Sequence, residues 1–519
     1  MDQNPNGTPV DVMTTLGALR GTWHHDIARF AGVPFAAPPI GEGRFRPPSP
    51  PVAWDGVRPA DQFGPMSPQS PSIMDALFGG ESERWDEDCL YLNVWSPDPT
   101  SGAGLPVMVW IHGGGFEMGS GSSPLYDGTS FARDGVVFVS INYRLGAFGF
   151  LDLGELDSSY TGSGNVGLLD QIAALEWVRD NIAGFGGDPG RVTILGESAG
   201  AMSVSLLMAM PRASGLFRGV IAESGHASAG KTAEMAALDT VEFLAACGLT
   251  SVADALSAPV EQLLAGHAAM GAARMADPEE VIRRTGNPLA FLPFRPVADG
   301  HEVPLDPLAA IVAGSAAGVP LLVGTNSEEW NLFALMSPPA TDEDHLRERL
   351  SLVITDAGAA LDAYREEYPE ADLRGLEGAI LTDLIFRIPA VQLADAQSRH
   401  AEVFQYLWTW RSEAWGGMIG AAHAIEIPFV FDLVADHRLH VFVGPDAPVS
   451  LARATHLAWV QFACTGAPSH DGLPLWPTMS DDDRPVMVLD TEPQVRPDPQ
   501  GATRRFWGTD AGVMPIAAR

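Results

Sequence analysis

The stretch Arg191-Val-Thr-Ile-Leu-Gly-Glu-Ser-Ala-Gly200 constrains this chain more than any other. Val192 to Leu195 reads as a short buried strand, and a helical pattern follows from Met202 to Met210. A strand, then G-x-S-x-G, then a helix is the context of a nucleophile elbow. The turn is sharp, and a side chain at position 196 or 200 would collide with the neighbouring strand or helix; glycine carries no Cβ. Such a turn lifts Ser198 Oγ clear of the sheet and aims the Ala199 N–H at the same space. A helix starting there adds a positive dipole end that favours a developing oxyanion. A bare G-x-S-x-G also arises by chance in a chain with 55 glycines, so its flanks and partners decide its meaning.

A chain of 519 residues, 46% hydrophobic and 18% charged, supports a large packed core and not disorder. Its formal net charge of −34 would repel duplex DNA and anionic membranes, so neither is an expected partner. Lys231 is the only lysine. Cys89, Cys247 and Cys464 cannot form a disulfide framework and lack metal-ligand spacing, so no metal is expected. Residues 1–7 lack a basic segment and an apolar segment, and no apolar run reaches about 18 residues. The expectation is a cytoplasmic protein, a monomer, without a membrane span.

Residues 1–60 read as short strands and turns. Leu105 to Ile111 and Val136 to Ile141 are continuous apolar runs, the pattern of fully buried strands. The first ends in His112-Gly113-Gly114-Gly115-Phe116, the second in Asn142-Tyr143-Arg144-Leu145-Gly146. Between Gly167 and Ile182, Leu168, Leu169, Ile172, Leu175, Val178 and Ile182 recur at helical spacing, closed by Gly184, Gly186 and Gly187. Phe217 to Ala222 is a further strand. This alternation predicts an α/β fold with a mostly parallel sheet covered by helices on both faces. Helical insertions are expected at about 231–317 and 331–400, forming a lid and cleft walls. Strands are expected at Val319 to Gly324, Val403 to Leu407 and Val486 to Leu489, and a late helix at Leu451 to Phe462. Residues 1–519 are read as one domain.

His112-Gly-Gly-Gly115 sits at a strand end upstream of the elbow, where bare glycines let a substrate carbonyl approach backbone N–H groups. A dinucleotide loop is excluded there, because Met118 stands where that motif needs glycine. A serine hydroxyl needs a histidine base, and the histidine needs a carboxylate to fix its tautomer. In chain order the acid and then the histidine should follow the serine. Of His423, His437, His440, His456 and His470, His423 lies at the lip of the apolar run that ends at Phe431. The strand end after Gly324 offers Glu328 and Glu329, and spacing alone does not choose between them. A rival motif, Gly225 to Thr232, fits G-x-x-x-x-G-K-T, with Lys231 for phosphates, Thr232 for Mg²⁺ and Val486 to Asp490 as partner strand.

The ordered motifs Phe30 to Gly41, Glu87 to Val94, His112 to Phe116, Asn142 to Gly146, Phe185 to Pro189, Gly196 to Gly200, Gly324 to Glu329 and His423 to Phe431 resemble the type-B carboxylesterases, which include para-nitrobenzyl esterases and cholinesterases. The resemblance implies an α/β-hydrolase fold, a triad of Ser198, Glu329 and His423, and oxyanion donors at Gly114, Gly115 and Ala199. It favours Glu329, five residues after Gly324. It makes Ser224 a support for the triad acid and Glu197 a residue that tunes the charge of the site. In disulfide-bearing relatives the cysteine matching Cys89 pairs with an upstream cysteine; Ser67 stands there instead, which implies a free thiol. Phe116, Met118 and Trp330 are candidate pocket walls. The expected activity is hydrolysis of carboxylic esters through an acyl-enzyme, without a cofactor. Carbamates, thioesters and lactones are alternative substrates for the same triad, and nucleotide binding through Gly225 to Thr232 is the rival from outside that chemistry.

Overall fold

The structure is a computed structural model that describes residues 6–71, 84–285, 288–289, 292–335, 339–480 and 483–508. The ends of the expected 1–519 domain therefore lie outside the described residues. The strands are β1 (Pro9–Thr14), β2 (Gly17–His24), β3 (Ile27–Pro34), β4 (Val57–Pro59), β5 (Tyr91–Ser96), β6 (Leu105–Ile111), β7 (Val137–Ile141), β8 (Gly187–Glu197) and β9 (Gly219–Glu223). They continue with β10 (Lys231–Thr232), β11 (Val297–Ala298), β12 (Leu321–Asn326), β13 (Val403–Trp408), β14 (Pro485–Leu489) and β15 (Gln494–Pro497).

Thirteen strands form one sheet in the order β1-β2-β3-β5-β7-β6-β8-β9-β12-β13-β14-β15, with β4 beside β2. From β7 to β14 every pairing is parallel, and antiparallel strands flank this block on both sides. Parallel neighbours need crossovers, and helices supply them on both faces. The apolar runs read from the sequence become the central strands because both of their faces are covered. Along β6, Val107, Val109 and Ile111 face one core, with the helices Val166–Asn181 and Ala199–Ala209. Met108 and Trp110 face the other, with the helix Val449–Thr465 and the ring cluster Phe131, Phe138 and Phe431. A third apolar cluster joins the helices of residues 340–388 to Trp507.

Both elements that flank the elbow start earlier than expected. β8 begins at Gly187 rather than Val192, because Gly187 pairs with Leu105 across a register shift before Val107 meets Val192. The following helix begins at Ala199 rather than Met202, because the Met202 N–H already bonds the Ser198 carbonyl at 2.8 Å. Cys89 is a buried free thiol, and Ser67 Oγ accepts a hydrogen bond from the Leu145 N–H at 3.1 Å.

The rival phosphate loop does not form. Residues 227–229 make a short 3-10 turn, and Lys231 sits in the two-stranded pair β10–β11, off the main sheet. Its buried ammonium donates to Asp239 Oδ2 at 2.8 Å and to the Pro293 carbonyl at 2.6 Å. Thr232 Oγ1 caps the next helix by accepting from the Met235 N–H. Asp490, the residue assigned to the partner strand, accepts from Thr409 Oγ1 at 2.9 Å. The groups a nucleotide would need are already spent on folding.

Candidate active site

β8 delivers Ser198 at its C-terminal end. Ser198 adopts φ 56° and ψ −122°, a strained conformation that turns the chain at once into the helix Ala199–Ala209. The tightness of this turn dictates its glycines. A Cβ on Gly196 would lie 2.5 Å from the Ile111 carbonyl oxygen, and one on Gly200 would lie 1.9 Å from it. The Ser198 N–H is tied to the Glu223 carbonyl of β9 at 2.9 Å. Ser198 is partly exposed, whereas its neighbours in the chain are buried.

His423 follows β13 in a loop, where its backbone N–H reaches the Glu329 carbonyl. Its Nε2 lies 2.8 Å from Ser198 Oγ, and its Nδ1 lies 2.7 Å from Glu329 Oε2. Glu329 stands three residues beyond the end of β12 and is fully buried. The Asn326 N–H at 2.7 Å and Ser224 Oγ at 2.6 Å donate to its other oxygen. Glu328, the competitor, turns away: its carboxylate accepts from the Ala421 N–H and pairs with Arg411. Of the five downstream histidines, only His423 meets Ser198. His456, also buried, bonds the Val430 carbonyl and Asp134 instead.

The loop after β6 faces the same serine. A Cβ on Gly113 would lie 3.2 Å from Ser198 Cβ. No hydrogen bond among the described residues uses the amide of Gly114 or Gly115 as donor. Burial pushes the His112 imidazole down to about 4, so it is neutral; its Nδ1 bonds the Gly113 carbonyl at 2.8 Å.

Residues 8–507 match the model of the carboxylesterase family. This chain belongs to that family. It is 40% identical over 500 residues to the para-nitrobenzyl esterase of Bacillus subtilis, across 95% of this chain and 97% of that one. It is 35% identical over 527 residues to a human cocaine esterase, across 96% of this chain and 89% of the relative. A crystal structure of a Geobacillus stearothermophilus carboxylesterase superposes with a TM-score of 0.85 at 39% identity, covering 96% of this chain and 99% of that one. The fold is therefore that of an α/β-hydrolase, and the protein is a serine hydrolase of carboxylic esters.

Four buried carboxyls crowd behind the carboxylesterase's serine: Glu197, Glu223, Glu329 and Glu426. Glu197 Oε1 lies 3.1 Å from His423 Nε2. Burial, and then the charge of Glu329, pushes the Glu197 carboxyl well above the ordinary range. Burial, then Glu197 and Glu329, pushes Glu426 up to about 8, against the opposing hydrogen bond from Asn326. Burial and Glu426 push Glu223 up as well, while the Trp459 indole N–H bonds it at 2.9 Å. Asn326 Nδ2 donates to Glu426 Oε2 at 2.6 Å, and its backbone N–H donates to Glu329, so it joins Glu329 to this cluster.

The candidate pocket walls fare unequally. Phe116 is 1% exposed and packs edge-on against Phe150, so its ring sits in the core. Met118 is half-buried, its side chain beside Gly114. Trp330 stacks on Phe333, and Phe333 rather than Trp330 meets the His423 ring, at 5.1 Å. Phe386 covers the same ring at 4.8 Å. Glu223, Asn326, Phe333, Phe386 and Glu426 are site neighbours that the sequence reading missed. Glu426 carried one signal, a lone charge inside an apolar run three residues after His423.

Proposed function

We propose that Ser198 is the nucleophile of this esterase, His423 its general base and acid, and Glu329 the carboxylate that orients the imidazole. Ser198 Oγ attacks the ester carbonyl as its proton passes to His423 Nε2. Glu329 steadies the resulting imidazolium through the Nδ1–H. The amides of Gly114, Gly115 and Ala199 hold the oxyanion; the first two donate to no other group among the described residues, and the third starts a helix. The alcohol leaves with the proton from His423, and water repeats the sequence on the acyl-enzyme. Ser224 fixes Glu329, and Glu197 stands beside the imidazole as it becomes charged. The observation that carries this reading is the unbroken line from Ser198 Oγ to His423 to Glu329, at 2.8 and 2.7 Å.

Residues 1–519 form one hydrolase domain with insertions at about 231–317 and 331–400, and Met118 and Trp330 border the pocket. Three free cysteines fit a cytoplasmic setting, and no helix among the described residues is long and apolar enough to cross a membrane. By likeness to its relative, a para-nitrobenzyl ester is the first substrate to try. Ser198→Ala should lower kcat on it by roughly 10⁴-fold or more. A folded Ser198→Ala protein within about tenfold of the parent would sink the assignment.

A further inference from the structure

The glycine loop that faces Ser198 joins two conformationally free glycines to one strained residue: glycine takes a positive φ without cost, whereas Phe116 does not. Gly114, Gly115 and Phe116 take φ of 107°, 64° and 65°, three successive residues in the left-handed region. A segment of this kind keeps its aim only where its surroundings over-determine it. Two ties are evident. The Phe116 carbonyl accepts from the Gly146 N–H at 2.7 Å, and Gln69 bonds both the N–H and the carbonyl of Gly119, at 2.7 and 2.9 Å.

Between those ties stands Glu117, two residues past Gly115. Its Oε2 lies 3.1 Å from Nε2 of His267, on the helix Val260–Ala276. Its Oε1 accepts from the Phe294 N–H at 3.3 Å. Both partners belong to the helical insertion rather than to the sheet. They are fixed in turn. The His267 ring stands edge-on to Phe294 at 4.8 Å, and a Cβ on Gly146 would lie 3.3 Å from its Nδ1 and Cε1. Lys231 holds the Pro293 carbonyl. Arg295, next in the same segment, is buried and donates to the Ala229 carbonyl. The carboxylate is mostly covered, its side chain 11% exposed, so water screens these contacts weakly.

We propose that Glu117 is a positioning residue for ester hydrolysis. It staples the glycine loop to the insertion, so that the Gly114 and Gly115 amides stay aimed at the carbonyl oxygen as charge develops there. This rests on the reading of those amides as oxyanion donors. Glu117 itself touches none of the proposed reacting groups; it acts through the backbone two residues away. The insertion thereby contributes to the chemistry as well as to the walls of the cleft.

The test compares an oxo ester with its thiono analogue, in which sulfur replaces the carbonyl oxygen that the amides would hold. The parent enzyme should favour the oxo ester strongly. Glu117→Ala should lower kcat on the oxo ester by roughly 10- to 100-fold, the scale of a small misplacement, with KM nearly unchanged and the oxo-to-thiono preference reduced. Glu117→Gln keeps an acceptor for Phe294 and a polar group for His267, and should recover most of the loss. His267→Phe keeps the ring on Phe294 but removes the tether, and should reproduce the reduced preference; it stands in if Glu117→Ala does not fold. A parent enzyme indifferent to sulfur would overturn the oxyanion reading itself. A parent that discriminates, with Glu117→Ala and His267→Phe discriminating equally well at unchanged kcat, would overturn the role of Glu117 alone.

Discussion

Glu197 Oε1 stands 3.1 Å from His423 Nε2, the same nitrogen that faces Ser198 Oγ. Burial and the charge of Glu329 favour the protonated form of Glu197. Glutamine copies that form in shape and charge. Glu197→Gln should therefore retain kcat/KM within about tenfold near neutral pH, and should fall behind the parent as pH rises and the parent's carboxyl ionises beside the imidazole. A pH–rate profile of both proteins checks this. A loss of roughly 10²-fold or more already at pH 6 would mean that the charged carboxylate is required throughout.

The adjacent glutamates should separate cleanly. Glu329 receives the His423 Nδ1–H, whereas Glu328 receives the Ala421 N–H and borders Arg411. Glu329→Gln presents an amide to Nδ1 and disfavours the working tautomer, so kcat should fall by roughly 10⁴-fold. Glu328→Gln keeps an acceptor for Ala421 and should stay within about tenfold. The two variants in one ester assay decide it, and a larger loss for Glu328→Gln would refute the assignment.

The buried carboxyls also set a pH dependence of stability. An unfolded chain releases the Glu426 proton near its ordinary value of 4.5, while the folded protein holds it up to about 8. Between those values the folded state binds more protons, so Glu426 costs stability progressively as pH rises through that window. Glu426→Gln removes the titration and keeps an acceptor for Asn326. Its melting temperature relative to the parent should therefore rise from pH 5 to pH 9. A difference that stays constant with pH would mean that Glu426 remains charged in the fold.

The parts of this site that lie on central strands were legible in the sequence. The runs before His112 and Gly196 are apolar without interruption because both sheet faces are covered, and the motifs sit where those strands end. His423 was legible by the apolar segment behind it. The choice between Glu328 and Glu329 was not, since adjacent side chains after a strand end diverge according to a turn that spacing does not specify; the family pattern supplied it. Phe333 and Phe386 come from insertion helices, where an aromatic residue facing the core and one facing a histidine make the same periodic pattern. Asn326 was hidden for a related reason. A buried asparagine whose backbone N–H meets one carboxyl and whose side-chain amide meets another looks like any strand-end asparagine until both partners are in place.

Lys231 is the last group whose role the fold redefines. Gly225 to Thr232 matches a phosphate loop in letters, so a nucleotide reading makes a definite demand: the ammonium must be free to meet phosphate. Here it is buried between Asp239 and the Pro293 carbonyl. Removing it leaves Asp239 with Arg274 Nη2 at 2.6 Å, so the carboxylate keeps one cation and loses another. Lys231→Met, which keeps the stem and removes the charge, should then destabilise the fold by roughly 1–3 kcal/mol, less than the full cost of orphaning a buried ion. Denaturant unfolding measures that loss. Calorimetry of the parent with Mg·ATP or Mg·GTP should show no saturable heat. Tight nucleotide binding abolished by Lys231→Met, with stability unchanged, would restore the phosphate-loop reading.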